Sequence, residues 1–294
     1  MNRDIVAAAI QMNSKDDCAT NVDRAESLVR EAARQGAGLI VLPELFPVVR
    51  DFPTIVAAAE PDDGPIAKRF SAIAAELSVM LVAGTICESE TSSDPEQSPD
   101  RVFNTSLFFN SEGALVGKYR KMHLFEVNIE GKAVIDEAQV FDAGNQLSVV
   151  ATPAATIAQS ICYDLRFPEL YRAFADRNAD IALVPSAFTK VTGVAHWKTL
   201  LQARAIENQM FVVAPNQVGR HSDSLESYGH SLIIDPWGDV LAEATDANGD
   251  DDSQEQIIVA QLSAATLKKV RERLPALKNR RDDESQWRDD LRDF

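Results

Sequence analysis

The side chains best suited to chemistry in this sequence stand where apolar runs stop. Cys162 follows the β-branched, apolar run 156–161 and precedes Pro168-Glu169, which suit the first turn of a helix carrying Leu170 and Phe174. A thiol at such a junction is expected near unpaired backbone N–H groups and a positive helix end, which favour thiolate over thiol and can hold a developing oxyanion. A cysteine in a strand is also an ordinary small buried hydrophobe, so position alone leaves both readings open.

A thiol nucleophile needs a general base, and the four histidines offer no recognisable one. His123, His196, His221 and His230 show no i, i+4 metal spacing, and Gly229-His230-Ser231-Leu232-Ile233 lacks the closing glycine of a nucleophile elbow. The other candidate base is a carboxylate. Glu44 ends the apolar run 39–42 after Pro43, where burial would raise its pKa into a range useful for proton transfer. Lys121 ends a later strand in the same way. Singly, Glu44 reads as an ion-paired structural glutamate and Lys121 as a charge on a hairpin. Together with Cys162 they make an acyl-transfer apparatus: Glu44 takes the thiol proton and returns it to the leaving amine, Cys162 attacks the carbonyl, and Lys121 with a backbone N–H stabilises the oxyanion. Water then resolves the thioester.

The elements that must hold these groups alternate. Residues 5–10 read as a buried strand, 21–34 as an amphipathic helix, 65–77 as a helix and 79–86 as a strand. The polar stretch 88–101 reads as a surface loop and a disordered insert. Residues 102–109 and 114–122 form a hairpin across Asn110-Ser111-Glu112-Gly113, and 122–146 is loop-rich. Strands return at 147–150, 156–161, 181–185, 211–215, 228–234, 240–243 and 257–262, with helices at 195–209 and 264–273. The expected architecture is α/β, two mixed sheets packed face to face with helices outside, preferred over one doubly wound sheet because strands are many and several connections are hairpins. One domain over 1–274 followed by a charged tail, 275–294, is the expected organisation.

With 294 residues the chain can bury a substantial core, and a net charge of -16 disfavours nucleic acid and anionic membrane partners. Three cysteines, Cys18, Cys87 and Cys162, without a CxxC pair argue against a disulfide framework or structural zinc and for a reducing, cytoplasmic setting. The apolar run near the N-terminus is too short for a signal peptide or a membrane span. No cofactor or metal is expected.

Leu42-Pro43-Glu44-Leu45-Phe46, the run 119–125 (YRKMHLF) and the run 161–169 (ICYDLRFPE) resemble, in that order, the three catalytic motifs of the nitrilase superfamily of carbon-nitrogen hydrolases. The resemblance covers nearly the whole chain and implies a four-layer α-β-β-α sandwich, a homodimer paired across the helices next to the nucleophile, and a triad of Glu44, Lys121 and Cys162. It also implies a second glutamate in the loop after the lysine, for which Glu137 is the best match, with Asp136 beside it. Tyr163-Asp164 after the cysteine is similar to the amidase branches, whereas nitrilases typically carry Trp-Glu there.

The surroundings of the nucleophile, with Phe188, His196-Trp197 and Gly219-Arg220-His221, are similar to the deaminated glutathione amidases, which release α-ketoglutarate and cysteinylglycine. The omega-amidases acting on α-ketoglutaramate or succinamate share much of this pattern, and a carbamoylase-type hydrolase is a further alternative. A small anionic amide must have its charge neutralised, which gives Arg166, Arg220 and His221 a role. Tyr163, Phe188, His196 and Trp197 are the candidate walls of the acyl pocket. Arg166 has a second reading, as partner of Glu169 or Asp164 holding the nucleophile turn. Arg220 and His221 have the simple reading of a polar loop.

Overall fold

In the computed structural model, residues 1–90, 102–129, 133–222, 225–245 and 255–281 are described. The first half supplies β1 (Ile5–Gln11), β2 (Leu39–Val41), β3 (Met80–Val82), β4 (Ile86–Glu88), β5 (Phe103–Phe109) and β6 (Leu115–Arg120). A short hairpin of β7 (Glu126–Ile129) and β8 (Ala133–Asp136) follows. The second half supplies β9 (Ser148–Ala151), β10 (Thr156–Gln159), β11 (Ile181–Leu183), β12 (Phe211–Ala214), a hairpin of β13 (Val218–Arg220) and β14 (Glu226–Tyr228), then β15 (Leu232–Ile234), β16 (Val240–Glu243) and β17 (Gln256–Leu262). The helices are α1 (Cys18–Arg34), α2 (Phe52–Ala57), α3 (Pro65–Leu77), α4 (Pro168–Asp176), α5 (Lys190–Asn208) and α6 (Ala264–Arg273).

Among the described residues these strands make two large mixed sheets. One runs β17-β1-β2-β3-β5-β4 with β6 on the open side of β5, and the other runs β16-β15-β12-β11-β10-β9. In each, three parallel strands form the centre, β1-β2-β3 and β10-β11-β12, because α1 and α3 or α4 and α5 cross over between them. Antiparallel strands close the flanks.

Period-two alternation sorts the central strands into two faces. Ala7, Ala9, Leu39, Val41 and Phe108 of the first sheet meet Ile157, Leu183, Phe211, Val213 and Ile233 of the second in one buried layer. Ala8, Ile10 and Ile40 point the other way, onto Val22, Leu28 and Val29 of α1 and Phe70 and Ile73 of α3. Ala158, Ala182 and Val212 likewise meet Tyr171 and Phe174 of α4 and Trp197 and Leu201 of α5. The result is the expected α-β-β-α sandwich.

Helix starts follow local chemistry. Asp17 caps α1 by accepting the amides of Ala19 at 3.1 Å and Thr20 at 3.3 Å, while α3 and α4 begin on prolines, whose missing N–H would have had no intrahelical partner.

The expected strand 79–86 is two strands, because Gly84 (φ +41) turns the chain between β3 and β4. The expected strand 228–234 is likewise divided by Gly229 and His230, both at positive φ. Helix α5 begins five residues before the expected start, at Lys190. The 88–101 loop falls outside the described residues from 91 to 101, and its first residue, Glu88, is a buried member of β4 held by Lys118 and Arg120. Of the expected tail, 282–294 lies outside the described residues.

Candidate active site

Glu44 is carried beyond the end of β2, whose three residues are wholly buried. The amide of Leu42 still donates to the Val82 carbonyl at 3.0 Å, but Pro43 has no N–H and the ladder stops there. The turn packs so tightly on the β3–β4 corner that a Cβ on Gly84 would stand 2.0 Å from the Pro43 carbonyl oxygen, so only glycine fits. The Glu44 side chain is buried, with Oε1 accepting from Lys121 Nζ and Asn104 Nδ2, each at 2.8 Å, and Oε2 accepting from the Ala187 amide at 2.7 Å.

Lys121 follows β6, its own amide donating to the Asn104 carbonyl at 2.9 Å. Its ammonium is 1% exposed and is clasped from a second side by Glu137, at 3.0 Å to Oε1 and 2.9 Å to Oε2. Burial alone would favour the neutral amine, but Glu137 and Glu44 outweigh it and hold the Lys121 pKa well above its usual value. Glu137 sits in a 3-10 turn after β8 and is locked to Phe125 twice, amide to carbonyl at 2.9 Å and carboxylate to amide at 2.7 Å. Burial, opposed by Lys121 and reinforced by Glu44, raises its pKa. Neighbouring Asp136 instead caps the turn through the Ala138 amide at 3.0 Å.

Cys162 lies on the second sheet's side, after β10, at φ +44, a left-handed conformation that a cysteine adopts only when its surroundings impose it. Its amide donates to the Pro185 carbonyl at 2.9 Å and so is committed. Asp164, fully buried, pins the turn by accepting from the Ile161 amide at 2.9 Å, the Tyr119 hydroxyl at 2.8 Å and the His123 amide at 3.1 Å. Cys162 opens a 3-10 turn over Cys162–Arg166 and α4 begins only at Pro168, so the helical N-terminus beside the thiol is that of the short turn and not of α4. Burial, then the facing Glu44 carboxylate, push the thiol well above its usual pKa against the pull of Lys121. Both causes favour the thiol over the thiolate.

Glu44, Lys121, Glu137 and Cys162 all open onto one cavity of about 900 Å³. Among the described residues no His, Cys, Asp and Glu group is arranged to hold a metal ion.

The sequence model of the carbon-nitrogen hydrolase family matches residues 6–272. This chain belongs to the carbon-nitrogen hydrolase family. Over 280 residues it is 40% identical to the Homo sapiens deaminated glutathione amidase, covering 95% of this chain and 83% of that one. It is 34% identical to the Mus musculus omega-amidase over 276 residues, 94% of this chain and 95% of that one. The crystal structure of the C. elegans NitFhit protein matches it with a TM-score of 0.83 at 33% identity, covering 96% of this chain and spanning 66% of that longer one. The chain is thus a hydrolase of carbon–nitrogen bonds other than peptide bonds, built on the nitrilase-type sandwich.

In this carbon-nitrogen hydrolase the cavity wall includes Tyr163, Arg166 and Phe188. Arg166 makes no ion pair among the described residues, so neither Glu169 nor Asp164 holds it; its guanidinium lies 5.1 Å from the Phe188 ring centroid and 3.1 Å from His196 Nδ1. His196 thus reaches the site only through Arg166. Trp197 is wholly buried behind Phe188, with ring centroids 5.0 Å apart and its indole N–H donating to the His230 carbonyl at 2.7 Å. Arg220 is exposed and His221 is buried, and neither lines the cavity. Both His221 ring nitrogens are engaged: Nδ1–H donates to the Ser14 carbonyl at 2.8 Å and Nε2 accepts from the Ser227 hydroxyl at 2.9 Å. Burial lowers its pKa to about 4, which keeps it neutral.

Sequence reasoning passed over two residues that the structure places at the site. Asn104, on β5, has no charge or motif to draw attention to it, yet it orients Glu44. Arg50 lines the cavity just before α2, and its proximity to the Glu44 motif was the available signal.

Proposed function

We propose that the protein is an amidase that cleaves deaminated glutathione to α-ketoglutarate and cysteinylglycine through a thioester on Cys162. The observation that carries this reading is the buried contact of Lys121 with Glu44 at the mouth of the Cys162 turn, in a cavity of about 900 Å³ walled in part by guanidinium groups. That volume accommodates a tripeptide-sized ligand and exceeds what a five-carbon amide requires.

Glu44 Oε2 accepts the Cys162 thiol proton as sulfur attacks the amide carbonyl. The negative charge that develops on the carbonyl oxygen falls to Lys121 Nζ and to the amide of Tyr163, the residue following the nucleophile. Collapse of the tetrahedral adduct expels the amine, which takes the proton from Glu44. Water then enters, loses a proton to Glu44 and attacks the thioester, and the thiol is restored as the acid departs. Glu137 holds Lys121 charged and in place throughout. Arg166, stacked over Phe188, supplies the positive charge for the α-keto acid end.

The 34% identity to an omega-amidase favours a second reading, in which free α-ketoglutaramate is the substrate. Parallel assays of α-ketoglutarate release from deaminated glutathione and from α-ketoglutaramate, in wild type and Cys162→Ala, separate the two. A higher kcat/KM on α-ketoglutaramate overturns the first reading. Product formed equally by Cys162→Ala overturns both.

The resemblance also supports a homodimer across α4 and α5, and Val191, Val194 and Ile206 of α5 are exposed at 46%, 70% and 48%. Light scattering on the purified protein tests this. Free Cys18, Cys87 and Cys162 fit a reducing cytoplasm.

A further inference from the structure

The Gly219-Arg220-His221 stretch does not line the cavity, yet it touches the wall through its backbone. The Arg50 guanidinium, which does line the cavity, donates from Nη1 to the His221 carbonyl at 2.8 Å across 171 residues of sequence. That carbonyl is fixed because the His221 ring is held at both nitrogens and because Gly219, at φ +76, turns the strand toward it. Arg50 makes no ion pair among the described residues. Of the wall carboxylates, Asp51 caps α2 through the Thr54 amide at 3.0 Å and hydroxyl at 2.8 Å and interacts with Arg50 only through its charge, without a direct ion pair, while Asp136 caps its 3-10 turn.

The cavity therefore presents two guanidinium groups from separate parts of the chain. Arg166 stands four positions after the nucleophile, and Arg50 six after the base. A five-carbon keto-amide has one carboxylate, which Arg166 can hold. A second fixed guanidinium in the same cavity suits a ligand with another carboxylate further along, and a guanidinium already tethered at one nitrogen keeps donors free for a planar carboxylate.

We infer that Arg50, held by the His221 carbonyl, is a specificity residue that binds the terminal carboxylate of the amine half of the substrate. This rests on the amidase reading above and adds to it the feature that distinguishes a dipeptide leaving group from ammonia.

The test measures binding by calorimetry in the Cys162→Ala background, with deaminated glutathione and its C-terminal glycinamide analogue as probes. The expected result is about tenfold tighter binding of the acid than of the amide, a ratio near one after Arg50→Gln, and an intermediate ratio after Arg50→Lys. A ratio unchanged by Arg50→Gln overturns the inference, as does equal binding, or no binding, of both probes in the parent background. If Arg50→Gln does not fold, the Arg50→Lys ratio decides. Turnover by the wild type is scored separately: no hydrolysis of deaminated glutathione with the acid preference intact removes the substrate assignment and leaves Arg50 as a carboxylate site. Hydrolysis with a preference indifferent to Arg50 does the reverse.

Discussion

Lys121 Nζ lies 2.8 Å from Glu44 Oε1, and both side chains are almost wholly excluded from solvent, at 1% and 2%. A buried ion pair of this kind is costly to assemble and costlier to break, because removing one partner strands the other's charge. Here Glu137 shares the cation, so Lys121→Met leaves two facing carboxylates. The variant is expected to lose about 3–5 kcal/mol of stability in urea unfolding. It should also lose at least about a hundredfold in kcat if the ammonium is an oxyanion donor. A stable Lys121→Met with near-normal turnover would sink the assignment.

Glu137 and Asp136 are adjacent acids on the same cavity with different partners. Glu137→Gln keeps an acceptor for the Phe125 amide but withdraws half of the charge around Lys121. Its kcat should fall tenfold or more, by roughly 1.4 kcal/mol of barrier. Asp136→Asn, which disturbs only a turn cap, should keep kcat within about threefold. Steady-state kinetics on the pair decide which acid serves the reaction.

Cys162, the proposed nucleophile, also has a positive φ, and the two properties separate on substitution. Cys162→Ala should abolish turnover while unfolding cooperatively. Cys162→Gly should be equally inactive but more stable than Cys162→Ala by about 1 kcal/mol, since glycine accepts the left-handed conformation without the Cβ penalty. Greater stability of the alanine variant would show that this turn is unstrained.

His221 is neutral in the fold, with a pKa near 4 against an ordinary 6.5. Between those values the unfolded chain binds a proton that the folded chain excludes, so acid favours unfolding. The contribution is complete above about pH 6.5 and is lost as the pH falls toward 4, amounting to about 2 kcal/mol at pH 5. His221→Gln removes this titration. Comparing urea midpoints at pH 7 and pH 5, the wild type should lose about 2 kcal/mol more than the variant over that interval. Equal losses would show that His221 does not titrate as its burial implies.

What the sequence disclosed follows the range of the interactions involved. Residues 65–77 and 264–273 are helices with those bounds because caps, prolines and apolar period lie within the segments themselves. The sandwich was legible for the same reason, from apolar runs and hairpin connections. The breaks at Gly84 and at Gly229-His230 were not, since a glycine inside an apolar run reads as strand until the tertiary neighbour that forbids a Cβ is known. The loop-rich reading of 122–146 missed β7 and β8, whose burial pattern alternates only between exposed and partly buried and so carries little apolar signal. Glu44, Lys121, Cys162 and Glu137 stand around one cavity, on segments whose motifs pointed to them. Arg220 and His221 carry both a ligand-contact and a polar-loop reading in the sequence, and only the fold shows that neither lines the cavity and that the histidine ring is engaged by Ser14 and Ser227. Arg50 depends on a carbonyl 171 positions away, which no local pattern encodes.

The proposed base and nucleophile belong to different sheets, Glu44 beyond β2 and Cys162 beyond β10, and what fixes their separation is the apolar layer between, together with the buried bond from Ser106 Oγ to Gln159 Oε1 at 3.0 Å. That layer works as a caliper. A slip of one sheet across the other would leave every strand and helix paired internally while the jaws holding thiol and carboxylate drift out of proton-transfer range. On heating, activity should therefore vanish ahead of the far-ultraviolet signal of the strands, so that turnover reports the alignment of the two halves more finely than secondary structure does.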